Sequence, residues 1–334
     1  MQSIQQTDFD AFSAKLACIS KGYLPTNRQA LIDPIEKWDQ FYQDYKSLYF
    51  EYLNTIKIST LKGKRLFLKI TRAMQSSQPV MNYGTYLRTL SIDIPLLQYL
   101  NSNLIHKQCQ IVNLGCGSDL RCLQILNNKD IFPHVIKYID LDFKESVELK
   151  QSILKSISSS QNSLVPIDTT WGGRFEAVAS DLNDLDNTLL ILKSKLDVKI
   201  PTIFITECTL CYIKEKESQD LIDSIRTVFD SGLWISYDPI GGANSDNRFG
   251  IIMKENLLMS RNLDLPTLLL YNSKESYSNR WKNYKDVKIQ NMWDFLNSNL
   301  HPMELKRLQS LQFLDEFEEL KIMQNHYVTM NARW

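Results

Sequence analysis

Apolar positions recur at helical spacing through the first hundred residues. Phe12, Leu16 and Ile19 fall on one face of a stretch at 11–19. Residues 35–60 are rich in Trp, Tyr, Phe and Lys, keep a helical period and contain no glycine. Tyr86, Leu90, Ile94, Leu97 and Leu100 repeat the pattern over 86–100. The spacing predicts a helical region over 1–108, with no parallel-sheet unit before residue 109.

From there the pattern changes. Short apolar runs at 110–117, 134–142, 175–182, 201–212 and 232–240 each end in polar or turn residues. Helix-length segments separate them, at 120–126, 145–156, 183–193 and 217–229. Continuous apolar runs alternating with helices indicate parallel strands buried on both faces. Residues 109–334 therefore read as a doubly wound α/β sheet. The serine-rich stretch 152–170 reads as a loop, and an insertion occupies about 241–290. Two more strands are expected at 287–292 and 326–332. Between them Leu305, Leu308, Leu311, Leu314, Phe317 and Leu320 form an apolar stripe that reads as core.

Composition narrows the function classes. The 334 residues carry 38 basic and 38 acidic side chains. A balanced surface gives no long-range field for capturing nucleic acid. No apolar run reaches the length of a membrane span, and the start lacks a signal-peptide pattern. The six cysteines lie mostly in apolar runs, which fits free thiols in a reducing, cytoplasmic setting. Cys208 and Cys211 read as core residues. A redox or zinc pair is the other reading, but no second pair completes a zinc site.

In an open α/β sheet, ligands bind beyond the carboxyl ends of the strands. The first strand ends in Asn113-Leu114-Gly115-Cys116-Gly117-Ser118-Asp119, where two glycines permit a tight turn and close backbone approach. Asp142 follows the second strand and Asp181 the third. A carboxylate after the second strand can accept from both hydroxyls of a ribose. One after the third is placed to accept from an adenine amino group. Together they describe a nucleoside pocket. A nicotinamide dinucleotide requires a third glycine, where this chain has Leu120, and Asp119 would repel its phosphates. No G-x-x-x-x-G-K-[ST] motif occurs. S-adenosylmethionine has no phosphate and carries a sulfonium, so it suits this acidic, glycine-poor site.

The same residues resemble a family. The stretches PVMNYGTYLRT (79–89), QIVNLGCGSDLR (110–121), SVELK (146–150), PTIFITECTLCY (201–212), GLWISYDPIGG (232–242), PTLLLYNSKE (266–275) and LQSLQFLDEFEELKIM (308–323), with His326-Tyr327, are similar to those of leucine carboxyl methyltransferases, the fungal members above all. The resemblance spans roughly residues 7–334. It implies a seven-stranded class I methyltransferase sheet, with the helical region over the cofactor. It implies cofactor roles for Lys15, Arg88, Gly115, Asp142, Asp181, Leu182 and Glu207. By pattern alone Lys15 and Arg88 read as solvated helix cations. Glu207 lies inside an apolar strand and needs a partner, either the methionine ammonium or an arginine. Tyr212, at the end of the fourth strand, either faces the substrate or is an interfacial core tyrosine. The family commonly has Asp-Arg-Phe-Gly after strand five, whereas this chain has Asn247-Arg248-Phe249-Gly250, so only Asp246 could supply a carboxylate there.

The implied reaction is methylation of the C-terminal leucine of the type 2A protein phosphatase catalytic subunit, by a monomer with no nucleic-acid or membrane partner. The acceptor α-carboxylate has an ordinary pKa of about 3.3–3.7 and is already ionised, so no catalytic acid or base is expected. Another protein, or a small molecule, as acceptor on the same core is the alternative. A binding protein that keeps the fold without catalysis is a second.

Overall fold

A computed structural model of the chain describes residues 2–59, 63–102, 108–160, 163–242, 248–315 and 317–334. Among the described residues five α-helices precede the sheet: α1 Gln2–Ser20, α2 Trp38–Phe41, α3 Tyr45–Ser59, α4 Gly63–Ser76 and α5 Pro79–Leu100. The rest runs β1 Cys109–Leu114, α6 Arg121–Leu126, β2 Val135–Asp142, α7 Lys144–Ser158, β3 Phe175–Ala179, α8 Leu185–Lys195, β4 Thr202–Glu207, α9 Glu215–Val228 and β5 Gly232–Pro239. It continues with α10 Phe249–Arg261, α11 Lys274–Ser278, β6 Lys285–Asn291, α12 Met292–Asn299, α13 Pro302–Leu311, α14 Phe317–Asn325 and β7 Tyr327–Arg333. Among the described residues no helix is long and apolar enough to cross a membrane.

The seven strands form one sheet in the order β3-β2-β1-β4-β5-β7-β6. All are parallel except β7, which runs antiparallel between β5 and β6. The central strands are buried on both faces, and their alternate residues enter different cores. Ile111, Ile203, Ile205, Leu233 and Ile235 join a cluster with Phe12, Trp38, Tyr49 and Leu90 of the N-terminal helices. Val112, Phe204 and Trp234 point the other way, toward Leu192, Leu221 and Trp281. The period of two along a strand thus holds a helical layer on each side.

Helix α5 starts with Pro79 in its first turn, where the missing N–H is no loss. From Thr89 to Leu97 every residue is buried, because the helix lies between the sheet and a layer made of α1, α12 and α14. That layer carries α1 across the carboxyl ends of the strands.

Three expectations need correction. The serine-rich stretch is helical as far as Ser158, since Val147, Ile153, Leu154 and Ile157 supply a buried face that outweighs its serines. The first strand end matches expectation, but β4 stops at Glu207, not at Tyr212. Cys208 takes a left-handed φ of 54°, which ends the ladder, and a 3-10 turn over Leu210–Tyr212 follows. The apolar stripe is split between α13 and α14. Leu308 and Leu320 are core, whereas Phe317 is 48% exposed.

One buried ion pair fixes the second strand. Lys150 Nζ on α7 reaches Asp140 Oδ2 on β2 at 2.5 Å, with each side chain 1% exposed. The same ammonium donates to the Asp119 carbonyl at 2.5 Å. Lys150→Met strands a carboxylate in the core and is expected to cost about 3–5 kcal/mol. Lys150→Met with Asp140→Leu should recover most of the loss. The midpoint of urea unfolding measures both.

Candidate functional site

The turn after β1 is built from its glycines outward. Gly115 and Gly117 have φ of 69° and 46°, in the left-handed region. A Cβ on Gly115 would lie 2.7 Å from the Thr209 side chain, and one on Gly117 would lie 2.5 Å from Asp8 Oδ1. Thr209 Oγ1 donates to the Leu114 carbonyl at 2.9 Å, so the β4 end is packed onto the turn. Every amide of the turn has an acceptor. Gly115 and Cys116 donate to Leu141 O, and Asp119 donates to Cys116 O. Gly117 N donates to Asp142 Oδ2 at 2.7 Å, and Ser118 N to Asp8 Oδ1 at 2.6 Å. Two carboxylates occupy amides that would otherwise offer an anion site. The repulsion expected from Asp119 is weakened, because Arg121 pairs with it at 3.1 Å.

The strand ends supply the acceptors. Asp142 Oδ1 takes its own following amide, Phe143 N, at 2.7 Å, and the Ser146 side chain bonds to the same carboxylate. Burial raises the Asp142 carboxyl above its usual range, opposed by the Gly117 and Phe143 amides. Asp181 Oδ1 accepts from the Asn183 backbone and side chain at 3.0 and 2.9 Å, which leaves Oδ2 to a ligand. Leu182 beside it is buried.

Across the cavity lies a cluster of three cations and three carboxylates: Lys15, Arg88 and Arg121 with Asp93, Asp119 and Glu207. Glu207 is held between two guanidiniums. Arg88 Nε reaches Oε1 and Arg121 Nη1 reaches Oε2, each at 2.6 Å. Burial pushes the Glu207 carboxyl up, but Arg121 and Arg88 outweigh it and hold it well below the usual carboxylate range. Arg121 Nε also reaches Asp93 Oδ1 at 2.5 Å, and Tyr42 donates to Asp93 Oδ2 at 2.5 Å. Lys15 Nζ donates to Thr89 Oγ1 at 2.6 Å. Burial draws its ammonium below the ordinary lysine range, against the pull of Glu207.

All of these groups except Arg121 and Asp93, which lie behind the wall, face one cavity of about 460 Å³, roofed by α1 and α10. Lys15, Arg88, Gly115, Asp142, Asp181, Leu182, Glu207 and Tyr212 all line it. Tyr212 sits on the 3-10 turn and bonds to Thr7 of α1. Arg88 is paired, not solvated, and its guanidinium lies 5.6 Å from the centre of the Tyr237 ring. The cysteines, Cys208 and Cys211 among them, are free thiols. Asp246 and Asn247 lie outside the described residues.

Sequence reasoning missed Asp8, Asp93 and Arg121. Asp93 and Arg121 did leave a signal. Each is a lone charge in an otherwise apolar helical run, LSIDIPLL and RCLQIL. Such a charge needs an opposite one inside the fold. Asp8 left none, because an acidic residue near the start of a helix is ordinary.

Comparison with known proteins gives a consistent set. A family model described as leucine carboxyl methyltransferase matches residues 40–226. The chain is 40% identical to leucine carboxyl methyltransferase 1 of Kluyveromyces lactis, covering 99% of this chain and 98% of that protein. It is 39% identical to the Eremothecium gossypii protein of the same name, covering 100% and 99%. Against the rat protein identity is 29%, with 77% and 79% covered. Among solved structures, a putative methyltransferase from Thermobifida fusca superposes with a TM-score of 0.52 at 8% identity, covering 85% of this chain and 93% of that one. A Streptomyces avermitilis protein of the DUF574 family gives 0.52 at 12% identity, with 85% and 95% covered. Both likenesses concern the fold, which is that of the class I methyltransferases.

Glu207→Gln leaves two guanidiniums against a neutral amide. It is expected to destabilise the cofactor-free protein by about 3–5 kcal/mol. Asp181→Asn, on the cavity rim, should stay within about 0.5 kcal/mol. Equilibrium unfolding in urea compares the two.

Proposed function

Since the chain belongs to the leucine carboxyl methyltransferase family, we propose that it methylates the α-carboxylate of a C-terminal leucine with S-adenosylmethionine, and that the acceptor is the type 2A protein phosphatase catalytic subunit. The observation that carries this reading is the donor set of the cavity. One end offers carboxylates and no free amide nest. The other offers a charge-balanced group of cations and anions. That arrangement suits a ligand with a nucleoside at one end, an amino-acid zwitterion at the other, and no phosphate.

In this reading Asp142 accepts from the ribose hydroxyls and Asp181 Oδ2 from the adenine amino group, while Leu182 covers the base. Arg88 spends Nε on Glu207, and its two terminal nitrogens are left to fork onto the methionine carboxylate. Lys15 adds a second cation there. Glu207 fixes Arg88 and Arg121 and gives the methionine ammonium an anion. When bound, the cofactor supplies a methyl group activated by a sulfonium, and its transfer to a carboxylate gives a methyl ester.

The acceptor carboxylate is already ionised, so no side chain has to take a proton. What the chain contributes is alignment and exclusion of water. An anion and a cation meet and their charges cancel, so a dry site favours the transition state over the separated ions. Tyr212, Met253 and Leu257 line the cavity beside the charged groups. They provide apolar cover in which a leucine side chain can lie.

The reaction is tested with labelled cofactor and purified phosphatase. Label should enter intact phosphatase and leave in mild base, as an ester does. It should not enter a variant lacking the terminal leucine. Base-stable label, or label on the truncated protein, refutes the assignment. Asp142→Ala should weaken cofactor binding by about 2–4 kcal/mol, because charge-assisted bonds to two hydroxyls are lost. Calorimetry reads that directly. In the same assay Arg88→Lys should fall short of wild type, since an ammonium cannot reproduce the planar fork.

A further inference from the structure

Helix α1 is tied to the site at four places. Thr7 bonds to Tyr212, and Lys15 donates to Thr89. Asp10 pairs with Arg261 of α10. The fourth tie is Asp8, whose carboxylate spans one residue of the turn after β1. Ser118 N donates to Oδ1 at 2.6 Å and Ser118 Oγ to Oδ2 at 2.9 Å. A bidentate contact of this kind fixes both the backbone and the side chain of Ser118. The neighbouring amide, Gly117 N, is held by Asp142. The following carbonyl, Asp119 O, is held by Lys150. Three consecutive residues of the turn are therefore clamped, two by carboxylates and one by an ammonium.

The fit is close. The Asp8 carboxylate stands where a Cβ on Gly117 would have to go. Glycine is thus needed at 117 for this contact as well as for its left-handed φ. Burial raises the Asp8 carboxyl to about 6, with the Asp142 charge adding to the rise and the Ser118 bonds opposing it. A carboxylate kept inside at that cost is expected to hold something in place.

We propose that Asp8 is a positioning residue for methyl transfer: it holds Ser118, and with it the turn over residues 115–119, in the shape that receives the nucleoside end of the donor. The inference rests on the reading of the cavity as an S-adenosylmethionine site. In that reading Asp142 faces the ribose from β2 and holds Gly117, and Asp8 acts from α1 through the neighbouring Ser118. Because Asp8 stands on α1, seating of that helix and shaping of the cofactor turn are one event.

The test uses full-length protein, S-adenosylhomocysteine as the binding probe, and phosphatase turnover. Asp8→Ala should raise the Kd for the probe and the KM for the donor by about tenfold, the loss of one to two net hydrogen bonds. The KM for phosphatase should stay within about twofold, a split that general destabilisation would not give. Asp8→Asn should recover much of the loss, since its amide can accept from Ser118 N and donate to Ser118 Oγ. Ser118→Ala removes the hydroxyl alone. It should loosen the probe by about threefold and add little on top of Asp8→Ala. If Asp8→Ala does not fold, Asp8→Asn and Ser118→Ala decide the matter. Wild-type affinity in Asp8→Ala, or in Ser118→Ala when that substitution alone can be read, overturns the proposal. Failure of the wild-type protein to bind the probe at all would instead overturn the reading of the cavity.

Discussion

A guanidinium taken out of water needs anions beside it, and Arg121 finds three, from three parts of the chain. Its side chain is 2% exposed. Asp93 comes from α5, Asp119 from the turn after β1, and Glu207 from the end of β4. The N-terminal helices, the turn after β1 and the middle of the sheet are thereby locked to one point. Tyr42 extends the network to α2 through Asp93, and Arg88 extends it into the cavity through Glu207. If α5 shifted relative to the sheet, a charge would be left alone in a medium that solvates it poorly. The helical layer therefore sits over the strand ends in a single register.

That anchoring explains why the cavity has two chemical ends. Near Asp142 and Asp8 the backbone amides are already satisfied, and what remains on offer is acceptor capacity. Near Arg88 and Lys15, cation and anion alternate at short range. Both ends are fixed before any ligand arrives, because the groups that shape them are bonded to protein. Preorganisation of this kind matters most for a reaction with no proton to move, where alignment and dryness are what a protein can contribute.

Much of this was legible in the sequence, for physical reasons. The parallel strands announced themselves because burial on both faces demands continuous apolar runs, and the observed strands β1 to β5 fall within or at the edges of those runs. Gly115, Asp142 and Asp181 were found because a doubly wound sheet puts its ligand at known strand ends. Lys15, Arg88 and Leu182 came only through the family resemblance, whereas Glu207 also stood out as a carboxylate inside an apolar strand. What stayed hidden depends on contacts between distant segments. Asp8 and Ser118 are 110 positions apart. No local pattern marks their pairing. The overrun of the fourth strand has another cause: Cys208 is left-handed without being glycine, so sequence gives no warning that the ladder stops. The helical part of 152–170 was lost because serine favours turns in isolation, while a buried apolar face decides the matter in the folded chain.

The antiparallel strand β7 sets the order in which the sheet can be finished. It lies between β5 and β6, although β6 precedes it in the chain. On the ribosome, the segment at 285–291 emerges some forty residues before the strand that will pair with it, and β5 carries an open edge for longer still. During that interval two strand edges are unpaired, one of them flanked by Trp234 and Tyr237. Vectorial folding can complete β1 to β5 and their helices, but it must then wait. Until β7 arrives, the β5 and β6 edges stay open to pairing with a neighbour.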